Sequence, residues 1–362
     1  MADKNITLRQ KNTSGVYDKL YTKTTATQSK LSTATAELFG DNISDADAAL
    51  AKIADTVKSI GNVQVKVVDP NGNPIQGARI TGLYGTPTTA SDGTAHGVLQ
   101  TNPISISSPY IDLKDQTADA SGYAGSFNVL IVILPIVGEN SITRVTSSKT
   151  VKFSKAVKTV DVCCVGGGGA GGSMDFDADY TNLACGGGGG GGIVNATNIA
   201  VTPFINNSLI VGSGGNYKDG GYTGGNGGTS SFLNIVANGG SGGIGKIGGK
   251  GNLAGGNSGA VGCGNGGNGE QNGGNSTVSE FNDNTTYYSG GGGGGSQSGS
   301  AKTGGSPNGA NGARWTLAAT NAKGPGGGGG GAFGYRPDTG STGYSAKGSS
   351  GGPGLVAIRF HF

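Results

Sequence analysis

Apolar residues recur with a helical period in one stretch of the chain, residues 41–61. Their alternating spacing of three and four residues is typical of the apolar seam of a coiled coil. β-branched residues at the d positions of this seam favour a coiled coil of three or four helices over one of two. We therefore predict a short trimerising helix, with one amphipathic helix packed on a neighbouring domain as the alternative, because fewer than three heptads are present. The seam residues are Ile43, Leu50, Ile53, Val57 and Ile60.

The period changes to two after this stretch, as Val63, Val65 and Val67 alternate with polar residues. A turn in "DPNGNPIQGARIT" and further strand patterns in 93–100, 104–113 and 128–135 predict a β-domain over residues 62–140. The longest apolar run, Val129 to Val137, is too short to span a bilayer and predicts a buried strand. Residues 1–40 are polar without a clear period and predict an extended arm that attaches to a partner.

Glycine dominates the remainder, residues 141–362. The chain has 77 glycines, 65 of them between Gly166 and Gly354, with seven in succession from Gly186 to Gly192. Collagen is excluded because there is no G-X-Y register, and short apolar strands between the runs argue against a flexible linker.

A bundle of polyglycine II helices explains these runs. Such helices have three residues per turn and no internal hydrogen bonds, so their N–H and C=O groups must bond to neighbours. Neighbouring backbones approach closely enough only where no Cβ intervenes. We therefore expect the uninterrupted runs to lie at the centre of the bundle and the interrupted runs outside. The predicted fold is mostly β and polyglycine II, with a short N-terminal helical coiled-coil segment.

Two segments resemble known families. "VKVVDPNGNPIQGARIT" and "TTASDGTAHGVL" resemble the small transthyretin-like β-sandwich used as a spacer in surface proteins and phage fibres. "TVKFSKAVKTVDVCCVGGGGAGG", "GGTSSFLNIVANGGSGG" and "GGPGLVAIRFHF" resemble the glycine-rich C-terminal domain of tail-fibre and receptor-binding proteins of phages and phage-tail-like bacteriocins, chiefly of Gram-positive hosts. The second resemblance implies a tail fibre on a virion or phage-tail-like particle, synthesised in the host cytoplasm and attached through the arm to a baseplate or tail protein.

Neither the charge distribution nor the cysteines and histidines indicate a catalytic or metal-binding function. The formal net charge of +3 comes without charge runs, so we expect no nucleic-acid partner and no membrane insertion. The four cysteines lack metal-ligand spacing and are expected to be free thiols, and the two histidines offer little for catalysis. We predict neither an enzyme nor a cofactor. Three alternating aspartates begin like a calcium loop but lack its Gly and Glu, so a solvated acidic loop is favoured over a weak metal site. They are Asp175, Asp177 and Asp179.

The predicted binding surface consists of connectors between the glycine runs. They carry aromatic side chains, which provide contact area at low entropic cost and stack on sugars. The predicted receptor is therefore a host cell-surface glycan or surface protein. A structural spacer within a fibre and a secreted glycine-rich cell-surface protein are the alternatives. The candidate receptor-binding residues are Tyr287, Tyr288, Trp315, Tyr335 and Tyr344, with Asn284 and Asp338 as polar partners.

Overall fold

The computed structural model describes residues 7–11, 17–21, 61–174, 183–220, 222–245, 251–252, 257–297, 300–315, 317–335 and 344–362. It is built mostly of strands, in agreement with the predicted β-rich class, and the described residues include no α-helix. Near the N-terminus, β1 (Thr7–Lys11) and β2 (Tyr17–Tyr21) form an antiparallel hairpin. The predicted trimerising helix, residues 41–61, lies outside the described residues except for Gly61.

The chain forms two compact units. The first comprises residues 1–109 and 114–135, and the second comprises residues 110–113 and 136–362. Residues 110–113 therefore belong to the second unit, although residues of the first unit lie on both sides of them in the sequence.

The first unit contains two three-stranded sheets. The orders are β5-β3-β8, in which β8 runs parallel to β3, and β4-β6-β7. One face of each sheet is buried, and Val65, Ile80 and Ile106 are fully inaccessible. The strands are β3 (Asn62–Val68), β4 (Arg79–Thr81), β5 (Thr94–Val98), β6 (Ile104–Ser107), β7 (Gln116–Ala118) and β8 (Val129–Ile133), with a 3₁₀ turn at Ser121–Tyr123.

One expectation for this unit is wrong. The apolar run at Val129 to Val137 is not a buried strand throughout, because β8 alternates exposed and buried residues and ends at Ile133. Leu130 and Val132 pack inward, whereas Val129, Ile131 and Ile133 face solvent.

The second unit combines small sheets with glycine-rich segments. Its main sheet has the order β13-β11-β20-β9, and a second sheet has the order β17-β12-β18-β19. The main-sheet core includes Phe153, Val162, Phe232 and Phe360. The strands are β9 (Ile142–Val145), β10 (Lys149–Val151), β11 (Thr159–Val165), β12 (Leu183–Ala184), β13 (Ile193–Ala200), β14 (Asn207–Leu209), β15 (Ser230–Phe232), β16 (Ile235–Ala237), β17 (Gly251–Asn252), β18 (Phe333–Tyr335), β19 (Tyr344–Ala346) and β20 (Leu355–His361), with a 3₁₀ turn at Glu280–Asn282.

Four glycine-rich stretches are buried along their whole length, and we call them the central segments. They are residues 166–173, 185–192, 290–296 and 326–332. Runs 186–192, 290–295 and 326–331 are uninterrupted glycine and buried, as expected. Segment 166–173 is interrupted by Ala170 and equally buried, so the expectation that interrupted runs lie outside is wrong for it. Other glycine stretches surround them and are partly exposed.

Backbone hydrogen bonds from the central segments return to the same neighbour at every third residue. Segment 166–173 donates in rotation to 185–192, to 222–228 and to 347–354. It also accepts bonds from three further neighbours, so it is surrounded on all sides. The bonds to the first neighbour run from Gly166, Gly169 and Gly172 to the carbonyls of Gly192, Gly189 and Gly186, at 2.8–2.9 Å.

Candidate functional site

The central segments and the glycine segments hydrogen-bonded to them lie side by side, and we call this group of segments the bundle. The bundle has two distinct ends. At one end, β11 runs directly into segment 166–173, while segments 185–192 and 347–354 run directly into β13 and β20. We call this the sheet end. At the other end, β12, β18 and β19 adjoin central or neighbouring segments, and we call this the loop end. The connectors between glycine segments therefore divide between two surfaces.

Tyr287, Tyr288 and Asn284 lie at the sheet end, because Ser289 directly precedes the sheet-end terminus of segment 290–296. Asn195 of β13 fastens this connector by donating to the Ser279 carbonyl at 2.8 Å and accepting from the Phe281 N–H at 3.0 Å. Neither contact is recognisable from the sequence, since the partners are more than 80 residues apart.

Tyr288 is part of a buried polar cluster. Its exposed fraction is 7%, and its hydroxyl donates to Glu280 Oε1 at 3.1 Å. Arg144 of β9 donates to that hydroxyl and forms a 2.5 Å ion pair with Glu280, whose side chain is almost inaccessible. Burial, followed by the Glu280 charge, raises the pKa of Tyr288 to about 12. Tyr288 therefore holds its connector against the main sheet and presents little surface to a partner.

Tyr287 and Asn284 are exposed, as are their neighbours Asn282, Asp283 and Thr285. The Tyr287 hydroxyl lies 3.5 Å from Asn284 Oδ1, and the Asn284 N–H donates to Ser279 Oγ at 3.0 Å. Asn284 has a left-handed backbone conformation, with φ of 59°. These two residues form a small polar surface that the connector holds in place.

The remaining aromatic candidates lie at the loop end. Trp315 is 41% exposed, and its ring meets that of Tyr335 edge-on, with 5.9 Å between centroids. Tyr335 pairs with Tyr344 across the antiparallel ladder of β18 and β19. Trp315, Tyr335 and Tyr344, which the sequence predicted as binding residues, therefore lie together at the loop end. β18 and β19 carry the two tyrosines, and a connector carries Trp315.

A tight turn positions Trp315. Arg314 and Leu317 exchange backbone hydrogen bonds of 2.9 and 2.6 Å, and Trp315 has a left-handed φ of 41°. Arg314 also bridges to Ser296 at the loop-end terminus of a central segment. The Trp315 ring is thus carried on a short turn tied to the buried bundle, and Leu317 beside it is also exposed.

Connector 216–223 supplies further loop-end residues that the sequence interpretation did not select. Tyr222 is exposed, and Asp219 pairs with Lys347 at 2.6 Å. Burial raises the pKa of the Tyr217 hydroxyl above its usual range, and the Tyr217 N–H donates to Ser350. The signal was present in the sequence, since this connector is also aromatic.

Asp338 and the acidic candidates Asp175, Asp177 and Asp179 lie outside the described residues. Among the residues that the structure does describe, no group of His, Cys, Asp or Glu side chains is arranged to hold a metal ion. The four cysteines are free and buried, as expected. Over the same described ranges, no helix has the length and apolar character needed to cross a membrane.

Comparison with known protein families identifies a match over the C-terminal part of the chain. A family model described as a glycine-rich domain matches residues 143–361, which is more than half of the chain. No curated protein matches the chain at a significant level. The matched range covers both ends of the bundle and all four central segments.

Proposed function

Since the chain belongs to the glycine-rich domain family, we propose that it is a homotrimeric tail fibre or receptor-binding protein of a phage or phage-tail-like particle. In this proposal residues 1–40 attach to a baseplate or tail protein, residues 41–61 trimerise, and the glycine-rich unit carries the receptor-binding surface. The protein acts by binding, without catalysis or cofactor.

The proposed architecture of the glycine-rich unit is a bundle of polyglycine II helices. Two observations support it: hydrogen-bond partners repeat every third residue, and the central segments are surrounded by neighbours on all sides. Three residues per turn is the period of this helix. At a rise of about 3.1 Å per residue, a seven-residue segment separates the two ends by about 20 Å. The bundle then acts as a rigid body that displays its connectors.

The observation that carries the binding proposal is the exposed Trp315 ring set against Tyr335 at the loop end. Aromatic side chains held on a rigid frame bind with a small entropic penalty and dominate binding hot spots. A spacer would distribute such residues evenly, whereas here the exposed rings of Trp315 and Tyr222 lie at the loop end beside the half-buried Tyr335, against the exposed Tyr287 at the sheet end. The proposed receptor is a host cell-surface glycan or surface protein.

The test is binding of the purified protein to fractionated envelopes of Gram-positive bacteria. We expect Trp315→Ala to weaken binding at least about tenfold, as for hot-spot residues. Tyr287→Ala, an exposed aromatic at the opposite end, tests the other candidate surface, and should bind like the native protein because this proposal places the receptor at the loop end. Both variants should keep the native melting temperature. Unchanged binding by Trp315→Ala would remove the loop end from the receptor site, and absence of binding by the native protein to any fraction would favour the spacer.

A further inference from the structure

The first unit presents an apolar stripe on an edge strand. Val129, Ile131 and Ile133 of β8 face solvent, and the exposed fractions of the two isoleucines are 62% and 53%. We call these three residues the β8 stripe. Phe127, just before the strand, is also exposed.

On this sheet face the central strand carries polar side chains and the edge strand carries apolar ones, which is the reverse of the usual arrangement. The central strand β3 presents Gln64 and Lys66 on this face, level with Val129 and Ile131 of the edge strand. Edge strands of monomeric proteins are normally protected by charged residues or proline, because an exposed apolar edge associates with other chains. Within the described residues, no strand pairs with the outer edge of β8.

The stripe lies close in sequence and register to the point where the predicted seam joins the first unit. The heptad seam predicted for residues 41–61 ends at Ile60, and β3 begins at Asn62 after one intervening glycine. Because β8 runs parallel to β3 and Val129 is level with Gln64, the stripe begins at the end of the sheet where the chain enters β3. Three chains joined at the seam would each carry a stripe next to the same axis.

We propose that the β8 stripes of three copies of this chain pack together around that axis and extend the trimer interface from the seam into the first unit. This inference rests on the trimer of the proposed function. Identical apolar stripes are self-complementary around a symmetry axis, since each copy contributes the same residues. The uncharged β8 stripe lacks the side chains with which a charged partner would pair.

A single cysteine tests the contact in the full chain. The four native cysteines are buried, so Ile131→Cys adds an exposed thiol to an otherwise protected set. A disulfide requires Cα atoms roughly 4.4–6.8 Å apart, a separation that the proposed packing of the stripes would provide and that separate chains would not. We expect mild oxidation of dilute protein to produce a covalent dimer on a non-reducing gel. Val261→Cys, at a position with 97% exposure in the second unit, is the matched control and should remain uncrosslinked.

Light scattering of the native protein separates the two proposals. A native monomer would overturn the trimer itself and this inference with it. A native trimer whose Ile131→Cys variant fails to crosslink would overturn only the inference. Alkylation of that variant then shows why no crosslink forms. A thiol protected from alkylation indicates that the chain's own N-terminal residues or another segment cover the stripe. A reactive thiol indicates that the stripe is open to solvent. As a second variant, Ile131→Lys should shift the trimer towards monomer at low concentration, while Val261→Lys should not.

Discussion

At the scale of single residues, the central segments depend on the absence of a Cβ. A methyl group added at Gly188 would approach the Gly169 carbonyl oxygen closer than 3.0 Å, and one added at Gly191 would do the same to Gly166. These obstacles are backbone atoms, which cannot rotate away as a side chain could. At these two positions glycine is required by the backbone-to-backbone distance. Gly290 and Gly326, which begin two other central segments, also have positive φ values of 110° and 70°.

Another residue-scale feature is the buried carboxyl group of Asp112. It is fully inaccessible and accepts hydrogen bonds from the Ser154 N–H, at 2.8 Å, and from the Ser154 hydroxyl. Burial raises its pKa despite these bonds. A raised folded-state pKa means that ionisation opposes folding, so stability is lost as the pH rises from the unfolded-state pKa through the folded-state value.

We expect Asp112→Asn to melt a few degrees above the native protein at pH 7, because an amide of the same shape removes the buried charge. The difference should shrink below about pH 4, where the native carboxyl is protonated in both states. Melting curves between pH 3 and pH 8 measure this. A variant that melts below the native protein at every pH would show that the Ser154 hydrogen bonds outweigh the burial of charge.

At the scale of elements, the outer glycine segments combine two requirements in a three-residue repeat. In segment 238–245, the exposed or half-exposed positions Asn238, Ser241 and Ile244 alternate with pairs of glycines. The glycines face central or neighbouring backbones, whereas the substituted positions face water. One side of each turn thus serves packing and the other serves solubility.

An alanine scan of this segment should reproduce the repeat. Alanine at Gly239, Gly240, Gly242 or Gly243 should lower the free energy of unfolding by about 1–3 kcal/mol or more, since each added Cβ meets a backbone carbonyl. Alanine at Asn238, Ser241 or Ile244 should change it by about 0.5 kcal/mol or less. Denaturant titration provides the values. Equal effects at all seven positions would argue against a packed segment.

At the scale of the whole molecule, the two units do not follow the order of the chain. Residues 110–113 belong to the glycine-rich unit, where Tyr110 packs edge-on against Phe204 at 5.8 Å. The Ile111 N–H donates to the Lys152 carbonyl, and the Val137 N–H donates to the Asp112 carbonyl. The second unit therefore includes residues that lie, in the sequence, between two strands of the first unit, β6 and β7.

We expect Tyr110→Ala to accelerate amide hydrogen exchange in β11 and β20 of the second unit while leaving β3 of the first unit protected. Loss of a buried aromatic side chain destabilises the unit that contains it by about 3–5 kcal/mol. Tyr123→Ala, from the same sequence region but within the first unit, is the control and should have the opposite pattern. Exchange measured by mass spectrometry distinguishes them, and equal acceleration in both units would contradict the division.

Some features of this protein follow from the sequence alone because their causes are local or compositional. Alternation of apolar residues marks β3, and the runs of glycine identify the segments that become buried. The tail-fibre function, the trimeric seam and the receptor stay predictions.

The tertiary structure decided the rest, because hydrogen bonds between glycine segments join residues that are distant in sequence. Segment 166–173 bonds to 347–354, and only that packing determines which connectors share an end. It placed Tyr287 and Tyr288 at the sheet end and Trp315 with Tyr335 at the loop end, although all are aromatic residues in similar connectors. The burial of Tyr288 depends on Arg144, 144 positions earlier in the chain. A sequence pattern specifies which residues can face water, whereas the partners of a backbone without side chains are specified only when the segments pack.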